Sequence, residues 1–171
     1  MPLIGVAVAV PEPWGSELES FRASFGDPLA DSVPAHITVL PPTEVAEADL
    51  AAVDRHLAEA AASVAAFDVE LHGTATFRPV SPVVFVVVAA GISSCETLQD
   101  AVRRPPLARE LEHPYHPHVT VAHHLPDDVL DRAYESLSGF RAGFAVTEVV
   151  LYEHGSRGWA PRRAFPLGPR G

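Results

Sequence analysis

The same short pattern occurs twice in this chain of 171 residues, 82 positions apart. Residues 34–40 read Pro-Ala-His-Ile-Thr-Val-Leu, and residues 117–122 read Pro-His-Val-Thr-Val-Ala. In a β-strand, residues i and i+2 point to the same face, so each His shares a face with the Thr that follows it. The apolar residues between them point to the opposite face. The pattern therefore predicts two half-buried strands, each presenting an imidazole and a hydroxyl on one side.

The predicted order of elements is β-α-β-α-β-β-α-β-α-β-β, which favours an α+β fold over a doubly wound parallel sheet. Thr43 is a candidate N-cap for the second helix, and Ser93/Ser94 followed by Glu96 resembles a capping box at the third. We expect Pro41-Pro42 to close the strand that carries the first motif. Strands are predicted at 3–10, 35–40, 67–77, 83–90, 118–123, 144–153 and 159–167, and helices at 16–25, 44–66, 93–103 and 127–137.

Both halves of the chain contain a β-α-β-α-β run if the strand at 83–90 opens the second half. That order hints at an internal duplication, with one motif in each half. We therefore expect one domain over residues 1–171, made of two pseudo-repeated halves with the motifs at 36–38 and 118–120.

The charge of the chain argues against a protein that grips long nucleic acid. Residues 1–100 hold three Arg against fourteen acidic residues, a net charge of −11, whereas residues 101–171 have a net charge of +1. A long polyanion is normally held by a basic stripe, which is absent from this pattern. All twelve basic residues are Arg, so chemistry that needs a Lys, such as adenylation or a Schiff base, is excluded.

Two imidazoles and two hydroxyls on neighbouring strands suit displacement at phosphorus. One neutral His takes a proton from the attacking oxygen while a protonated His gives one to the departing oxygen, and Thr hydroxyls donate to the non-bridging oxygens. We predict His36 and His118 as the catalytic pair and Thr38 and Thr120 as substrate-binding residues. The alternative is that both His are ordinary half-buried strand residues hydrogen-bonded to a neighbour.

Two His-x-Thr-x motifs, one in each half of a chain this size, resemble the 2H phosphoesterase superfamily, in particular its bacterial 2′,5′-RNA ligase-like, cyclic phosphodiesterase branch. The resemblance extends from the first strand to the final hairpin. It implies a bilobal α+β fold, with two pseudo-symmetric lobes of antiparallel sheet, helices on the outer faces and the site in the groove between them. It also implies opening of a 2′,3′-cyclic phosphate to a 2′-phosphomonoester, with His36 as proton donor and His118 as acceptor, and in some members a weak reverse 2′,5′ joining.

One position departs from that family pattern. Many relatives have an Arg shortly after the second motif, where this chain has His123-His124. The missing positive charge would have to come from elsewhere, with four candidates open: Arg78, Arg157, Arg162 and Arg163. Because the chain has no Lys, any joining reaction would be the reverse of the His-driven step.

Several other residues could bind a metal or a nucleobase, but an ordinary structural role explains each of them better. Five His residues between 113 and 124 suggest a metal site, but an exposed His-rich loop explains them better, so we expect neither a metal nor a cofactor. Trp14, Tyr115, Phe77 or Trp159 could stack on a nucleobase, with Tyr115 the first to test. Cys95 is expected to be an ordinary helix residue.

We expect a monomer that binds a small cyclic nucleotide or an RNA 3′ end. Two alternatives stay open: the same chemistry on a metabolite cyclic phosphate, and a non-catalytic module that binds nucleotides or RNA ends. The apolar N-terminus lacks a positive n-region, and no apolar run approaches about 20 residues, so the chain is expected to be cytoplasmic, without a membrane partner.

Overall fold

A computed structural model describes residues 1–170 and shows two antiparallel sheets with four α-helices. No helix within those residues is long and apolar enough to span a membrane. The strands are β1 (Leu3–Ala9), β2 (His36–Glu44), β3 (Phe67–Thr76), β4 (Val83–Ala90), β5 (His118–His123), β6 (Arg141–Val146), β7 (Glu148–Gly155) and β8 (Gly158–Pro166). The helices are α1 (Trp14–Ser24), α2 (Leu50–Ala62), α3 (Ile92–Val102) and α4 (Asp127–Ser136), with a short 3-10 helix at Glu47–Asp49.

Each sheet belongs to one lobe. The first sheet has the order β2-β1-β7-β8 and the second the order β5-β4-β3-β6, and all pairs are antiparallel. The predicted α+β, two-lobed architecture is confirmed. The lobes are not consecutive in sequence, because β3 pairs within the second sheet while the C-terminal hairpin β7–β8 completes the first.

The two motif strands occupy matching places. β2 is an edge strand of the first sheet, β5 is an edge strand of the second, and the two strands lie against each other. Ile37 and Val39 on β2 and Val119 and Val121 on β5 are all buried in one core that spans both lobes. Burial of these apolar residues holds the opposite face, which carries the His and Thr side chains, toward the groove between the lobes.

The edge position of β2 explains why one predicted boundary was wrong. Pro41-Pro42 does not end the strand, which continues to Glu44 with a register irregularity against β1. Proline lacks an N–H group, and an edge strand tolerates it because one side of the ladder is unpaired. Thr43 consequently lies in the strand and caps nothing, and α2 begins at Leu50, after the 3-10 helix.

Two further predictions of local structure were wrong. The predicted strand 144–153 is two strands, β6 and β7, which pair with β3 and β1 in different sheets. Hydrophobic residues alternate in the same way in β6 and in β7, so the periodicity does not reveal where the chain passes from one sheet to the other. The expected capping box at α3 is also absent: Gly91 precedes the helix with a φ of +99°, and no side chain caps it. A Cβ on Gly91 would lie 2.6 Å from the Asp68 carbonyl oxygen.

A buried ion pair holds the segment after α1 against β5. Arg22 on α1 donates from Nε to Asp27 Oδ2 over 2.9 Å, and their side chains are 7% and 0% exposed. Asp27 Oδ2 also accepts the backbone N–H of His123, at the end of β5, over 3.1 Å. Its other oxygen accepts the N–H of Leu29. The carboxylate therefore connects the segment after α1 with the motif strand of the second lobe.

We predict that Asp27→Asn destabilises the fold, because it leaves the buried Arg22 guanidinium without a counter-charge. Breaking a buried pair on one side typically costs about 3–5 kcal/mol. The measurement is urea denaturation, with Glu153→Gln as the matched control. Glu153 pairs with Arg162 at 3.0 Å on the surface, where the two side chains are 38% and 37% exposed, so its loss should cost about 1 kcal/mol or less. Equal losses in the two variants would contradict this account.

Candidate active site

The two motif histidines are held by the same local hydrogen bond. Nδ1 of His36 lies 2.7 Å from the carbonyl oxygen of Pro34, and Nδ1 of His118 lies 2.7 Å from the carbonyl oxygen of His116. A carbonyl oxygen can only accept, so each Nδ1 carries the hydrogen and donates it. In the neutral ring, Nε2 then has the free lone pair and can accept a proton from a bound molecule.

Aromatic residues surround His118 and set its proton affinity. The Phe77 ring lies 5.0 Å from the His118 ring in an edge-on arrangement, and Phe85 lies 5.1 Å away. Burial in this apolar setting lowers the pKa of His118 from 6.5 to about 4, outweighing the raising effect of the His116 carbonyl. Charge on the His116 or His36 ring would lower that pKa further. His118 is therefore neutral at pH 7, the state that a general base requires.

His36 has a similar environment. Burial lowers its pKa, the Pro34 carbonyl raises it, and the positive charge of Arg22 lowers it. Both imidazoles are thus neutral in the unliganded protein at neutral pH. An anion bound between them would favour the protonated form of either ring.

The motif threonines lie on the same faces as the histidines. Thr38 and His36 are half-buried and line one cleft. Thr120 and His118 are likewise half-buried on β5, where their strand neighbours Val119 and Val121 are in the core. The predicted alternation is therefore present in both strands, β2 and β5 contact each other, and the His36 ring is near enough for its charge to influence His118.

Hydrogen bonds from the segment that precedes β5 fix the distance between the motif strands. The Tyr115 hydroxyl donates to the Thr38 carbonyl oxygen over 2.7 Å, and burial raises the pKa of this phenol. Arg109 donates from Nη1 to the Pro42 carbonyl oxygen over 2.8 Å and to Thr43 Oγ1 over 3.0 Å. Tyr115, singled out from the sequence for stacking on a base, instead joins the two lobes. Sequence patterns gave no signal for either bond, because the partners are more than 60 residues apart.

None of the four candidate arginines is a free substitute for the Arg that many relatives have after the second motif. Three of the four candidates have carboxylate partners: Arg78 with Asp127 and Asp131, Arg162 with Glu153, and Arg163 with Asp54. Arg157 lies in the exposed turn between β7 and β8. The cation whose field reaches the His36 and His123 rings is Arg22, which the sequence analysis did not consider. Its charge is partly offset by Asp27.

The His-rich segment is divided between the two ends of β5. The rings of His116 and His118 are 6.1 Å apart at its start, and those of His123 and His124 are 3.7 Å apart at its end. Among residues 1–170, no group of three or more His, Cys, Asp or Glu side chains is arranged to hold a metal ion. Cys95 is buried in α3, and burial raises its thiol pKa to about 11.

Solved structures share this architecture along the whole chain. The fold is similar to that of E. coli LigT, with a TM-score of 0.70 at 23% identity over 98% of this chain and 99% of that one. A LigT structure in complex with 3′-AMP gives a TM-score of 0.71 at 20% identity. The protein TT0787 from Thermus thermophilus gives a TM-score of 0.64 at 22% identity, and the match covers both chains fully. By its fold, the chain is therefore a two-lobed, LigT-like protein.

Sequence comparison identifies the family. Residues 10–158 match the model of the 2′-5′ RNA ligase superfamily, and the chain belongs to it. A Bacillus licheniformis protein named "putative phosphoesterase" is 30% identical over 154 residues, which is 87% of this chain and 89% of that protein. A protein with the same designation from Halalkalibacterium halodurans is 25% identical over 174 residues, or 96% of each chain.

We predict that His118 titrates near pH 4 and is the Nδ1–H tautomer at pH 7. The reason is burial against Phe77 and Phe85 together with the bond to the His116 carbonyl. Two-dimensional ¹⁵N NMR of the imidazole nitrogens over pH 3–8 measures both properties, with His118→Ala to assign the resonances. A midpoint near the ordinary value of about 6.5, or an Nε2–H tautomer, would contradict the geometry.

Proposed function

We propose that this protein is a metal-independent phosphodiesterase that opens a 2′,3′-cyclic phosphate to a 2′-phosphomonoester. The observation that carries the proposal is the matched pair of half-buried imidazoles, His36 and His118, each on a motif strand with Nδ1 held by a carbonyl and Nε2 free. Membership in a phosphoesterase-type family supports the reaction class. The roles of donor for His36 and acceptor for His118 follow the family resemblance.

The proposed reaction is an in-line displacement by water. Nε2 of neutral His118 accepts a proton from the water molecule as its oxygen bonds to phosphorus. The bond from phosphorus to O3′ breaks on the opposite side, and protonated His36 gives its Nε2 proton to O3′. The Thr38 and Thr120 hydroxyls donate to the non-bridging oxygens, where negative charge accumulates. Transfer of a proton from His118 to His36 resets the pair.

Substrate binding supplies the protonation state that this reaction needs. Both rings are neutral in the free protein, because burial lowers both pKa values. The negative charge of a bound phosphate raises the pKa of a neighbouring imidazole, so the substrate itself favours a protonated His36. The pair of imidazoles therefore becomes active when an anion is present.

A nucleotide or an RNA end is the proposed substrate. Structures of E. coli LigT include complexes with 3′-AMP, NADP+ and ATP, and these complexes support the proposal of a nucleotide substrate. The net charge of −10 opposes a long polyanion, so a single nucleotide or a short 3′ end fits better. A metabolite cyclic phosphate would use the same four motif residues.

We predict that His36→Ala and His118→Ala each lower kcat by about 10²–10⁴-fold on a 2′,3′-cyclic nucleotide, because each removes a proton-transfer group. Turnover is measured in EDTA by separation of the 2′- and 3′-monophosphates. The matched control is His72→Ala, which removes an exposed imidazole from β3 and should leave kcat within about twofold.

Three outcomes would overturn the proposed function. Full activity of the double variant His36→Ala, His118→Ala would show that the reaction occurs elsewhere. Dependence of activity on added metal would exclude the two-histidine mechanism. Binding of nucleotides without turnover, surviving the loss of both His, would favour the non-catalytic module. Turnover confined to sugar or metabolite cyclic phosphates, in contrast, would keep the mechanism and replace the substrate.

We also predict that Thr38→Val and Thr120→Val lower kcat/KM by about tenfold or more, whereas Thr→Ser at the same positions restores most of it. Valine keeps the shape of threonine but cannot donate to a phosphate oxygen, and serine can. The measurement is kcat/KM on the same cyclic nucleotide. Equal activity of the Val and Ser variants would show that the hydroxyls do not contact the phosphate.

A further inference from the structure

A second imidazole lies beside His118, two residues earlier in the chain. The His116 ring is 5.4 Å from both Phe77 and Phe85, the same two rings that flank His118 at 5.0 and 5.1 Å. The centroids of the His116 and His118 rings are 6.1 Å apart. His118 is half-buried, whereas His116 is exposed to solvent. The proposed base therefore has a solvent-accessible imidazole as a neighbour on the same pair of aromatic rings.

The backbone and the side chain of His116 make separate contacts. Its carbonyl oxygen accepts the hydrogen of His118 Nδ1 over 2.7 Å. Its ring packs edge-on against Phe77 and Phe85, whose own centroids are 4.4 Å apart. Because the carbonyl belongs to the main chain, a substitution at position 116 removes the imidazole and leaves the bond that sets the His118 tautomer.

The groove has little positive charge of its own with which to hold a phosphate group. Burial lowers the pKa of both His36 and His118 and keeps both rings neutral at pH 7. Arg22 is buried and paired with the Asp27 carboxylate. Histidine is the side chain that changes charge between about pH 5 and pH 8, and an exposed one takes up a proton without the cost of burying a charge. A protonated His116 would therefore add a positive charge next to His118.

One tetrahedral anion can contact both imidazoles at the start of β5. A hydrogen bond from a charged N–H to an anionic oxygen is about 2.8 Å long, so two such bonds to one oxygen span up to about 5.6 Å between nitrogens. Bonds to two oxygens of the same group span more. The 6.1 Å separation of the His116 and His118 rings is therefore within the reach of a single phosphate or sulfate group.

Charge on His116 also affects the proton affinity of His118. Burial is the main cause of the low pKa of His118, and positive charge on the His116 ring lowers it further. β2 contributes His36, whose charge lowers the same pKa, and β3 and β4 contribute phenylalanine rings. The acidic residues that precede His116 in the chain, Glu110 and Glu112, are exposed. A protonated His116 thus favours the neutral His118 that a base requires.

We infer that His116 is an anion-binding residue of this groove: its protonated imidazole contacts the phosphate group bound at His118 and holds His118 in its neutral form. The inference rests on the proposed function, which places the phosphate at His36 and His118. The ligand class is a tetrahedral oxyanion, such as a phosphate ester or inorganic sulfate. An imidazole loses its charge as the pH rises, whereas a guanidinium does not, so the affinity for an anion should rise as the pH falls.

Sulfate binding tests this charge without requiring turnover. Sulfate remains a dianion from pH 5.5 to pH 8, so a change in its affinity reports on the protein. In isothermal titration calorimetry at pH 5.5, His116→Gln should bind sulfate at least about fivefold more weakly than the wild type, and at pH 8 the two should agree within about twofold. The matched control is His113→Gln, which removes an exposed imidazole from the same segment and should match the wild type at both pH values.

His116→Arg places a permanent charge at the same position. This variant should bind sulfate at pH 8 at least about fivefold more tightly than the wild type. Imidazole ¹⁵N NMR gives a second readout, because the pKa of His118 should be lower in His116→Arg than in His116→Gln. Equal pKa values of His118 in the two variants would overturn the effect of position 116 on the base.

Two further results would overturn anion binding by His116. An equal loss of sulfate affinity at pH 5.5 and pH 8 in His116→Gln would show that the ring only packs against the phenylalanines. A wild-type protein that binds no sulfate at pH 5.5 would show that the groove holds no such anion. Circular dichroism of each variant separates loss of binding from loss of structure.

The two proposals fail separately. If the wild type turns over a cyclic phosphate and His116→Gln binds sulfate as tightly as the wild type at pH 5.5, the phosphodiesterase proposal stands and the role of His116 is wrong. If no cyclic phosphate is turned over and the difference in sulfate affinity at pH 5.5 is present, His116 stands as part of an anion-binding groove and the phosphodiesterase proposal fails.

Discussion

The structure depends on holding two edge strands of different sheets side by side. Backbone pairing cannot do this by itself, because β2 and β5 belong to separate hydrogen-bonded ladders. Apolar burial beneath them, the Tyr115 bond to the Thr38 carbonyl and the Arg109 bond to the Pro42 carbonyl together fix their separation. A groove between two imidazoles exists because these contacts cross from one lobe to the other.

Each imidazole is oriented by its own strand and tuned by its surroundings. The carbonyl two residues earlier sets the tautomer in both motifs, so this part of the site is local and is repeated with the sequence. Burial, which lowers both pKa values, comes from other elements, such as the phenylalanine rings beside His118. Both rings are therefore neutral at pH 7 in the unliganded protein, and a bound anion would favour uptake of a proton.

The chain as a whole is acidic, whereas the cleft beside His36 is lined by uncharged residues. The net charge is −10, whereas the residues that line the cleft beside His36, within the described part of the chain, include no carboxylate or guanidinium. Arginines that looked available in the sequence are mostly engaged with carboxylates, because an acidic chain offers each of them a partner. Arg22 differs from these arginines because it is buried, and its positive charge is paired with the carboxylate of Asp27.

The sequence by itself determined the α+β class, the boundaries of β4 and β5, and which face of each motif strand carries His and Thr, because alternation and motif spacing are local properties. The two lobes were expected only from the family resemblance. It did not reveal that β2 continues through Pro41-Pro42, that residues 141–155 cross between sheets, or that Tyr115 joins the lobes. Those features depend on which strand is an edge and on contacts between residues far apart in the chain. The cleft that His36 shares with Tyr152 and Trp159 is of this second kind, since the C-terminal hairpin reaches the first motif only when β7 pairs with β1.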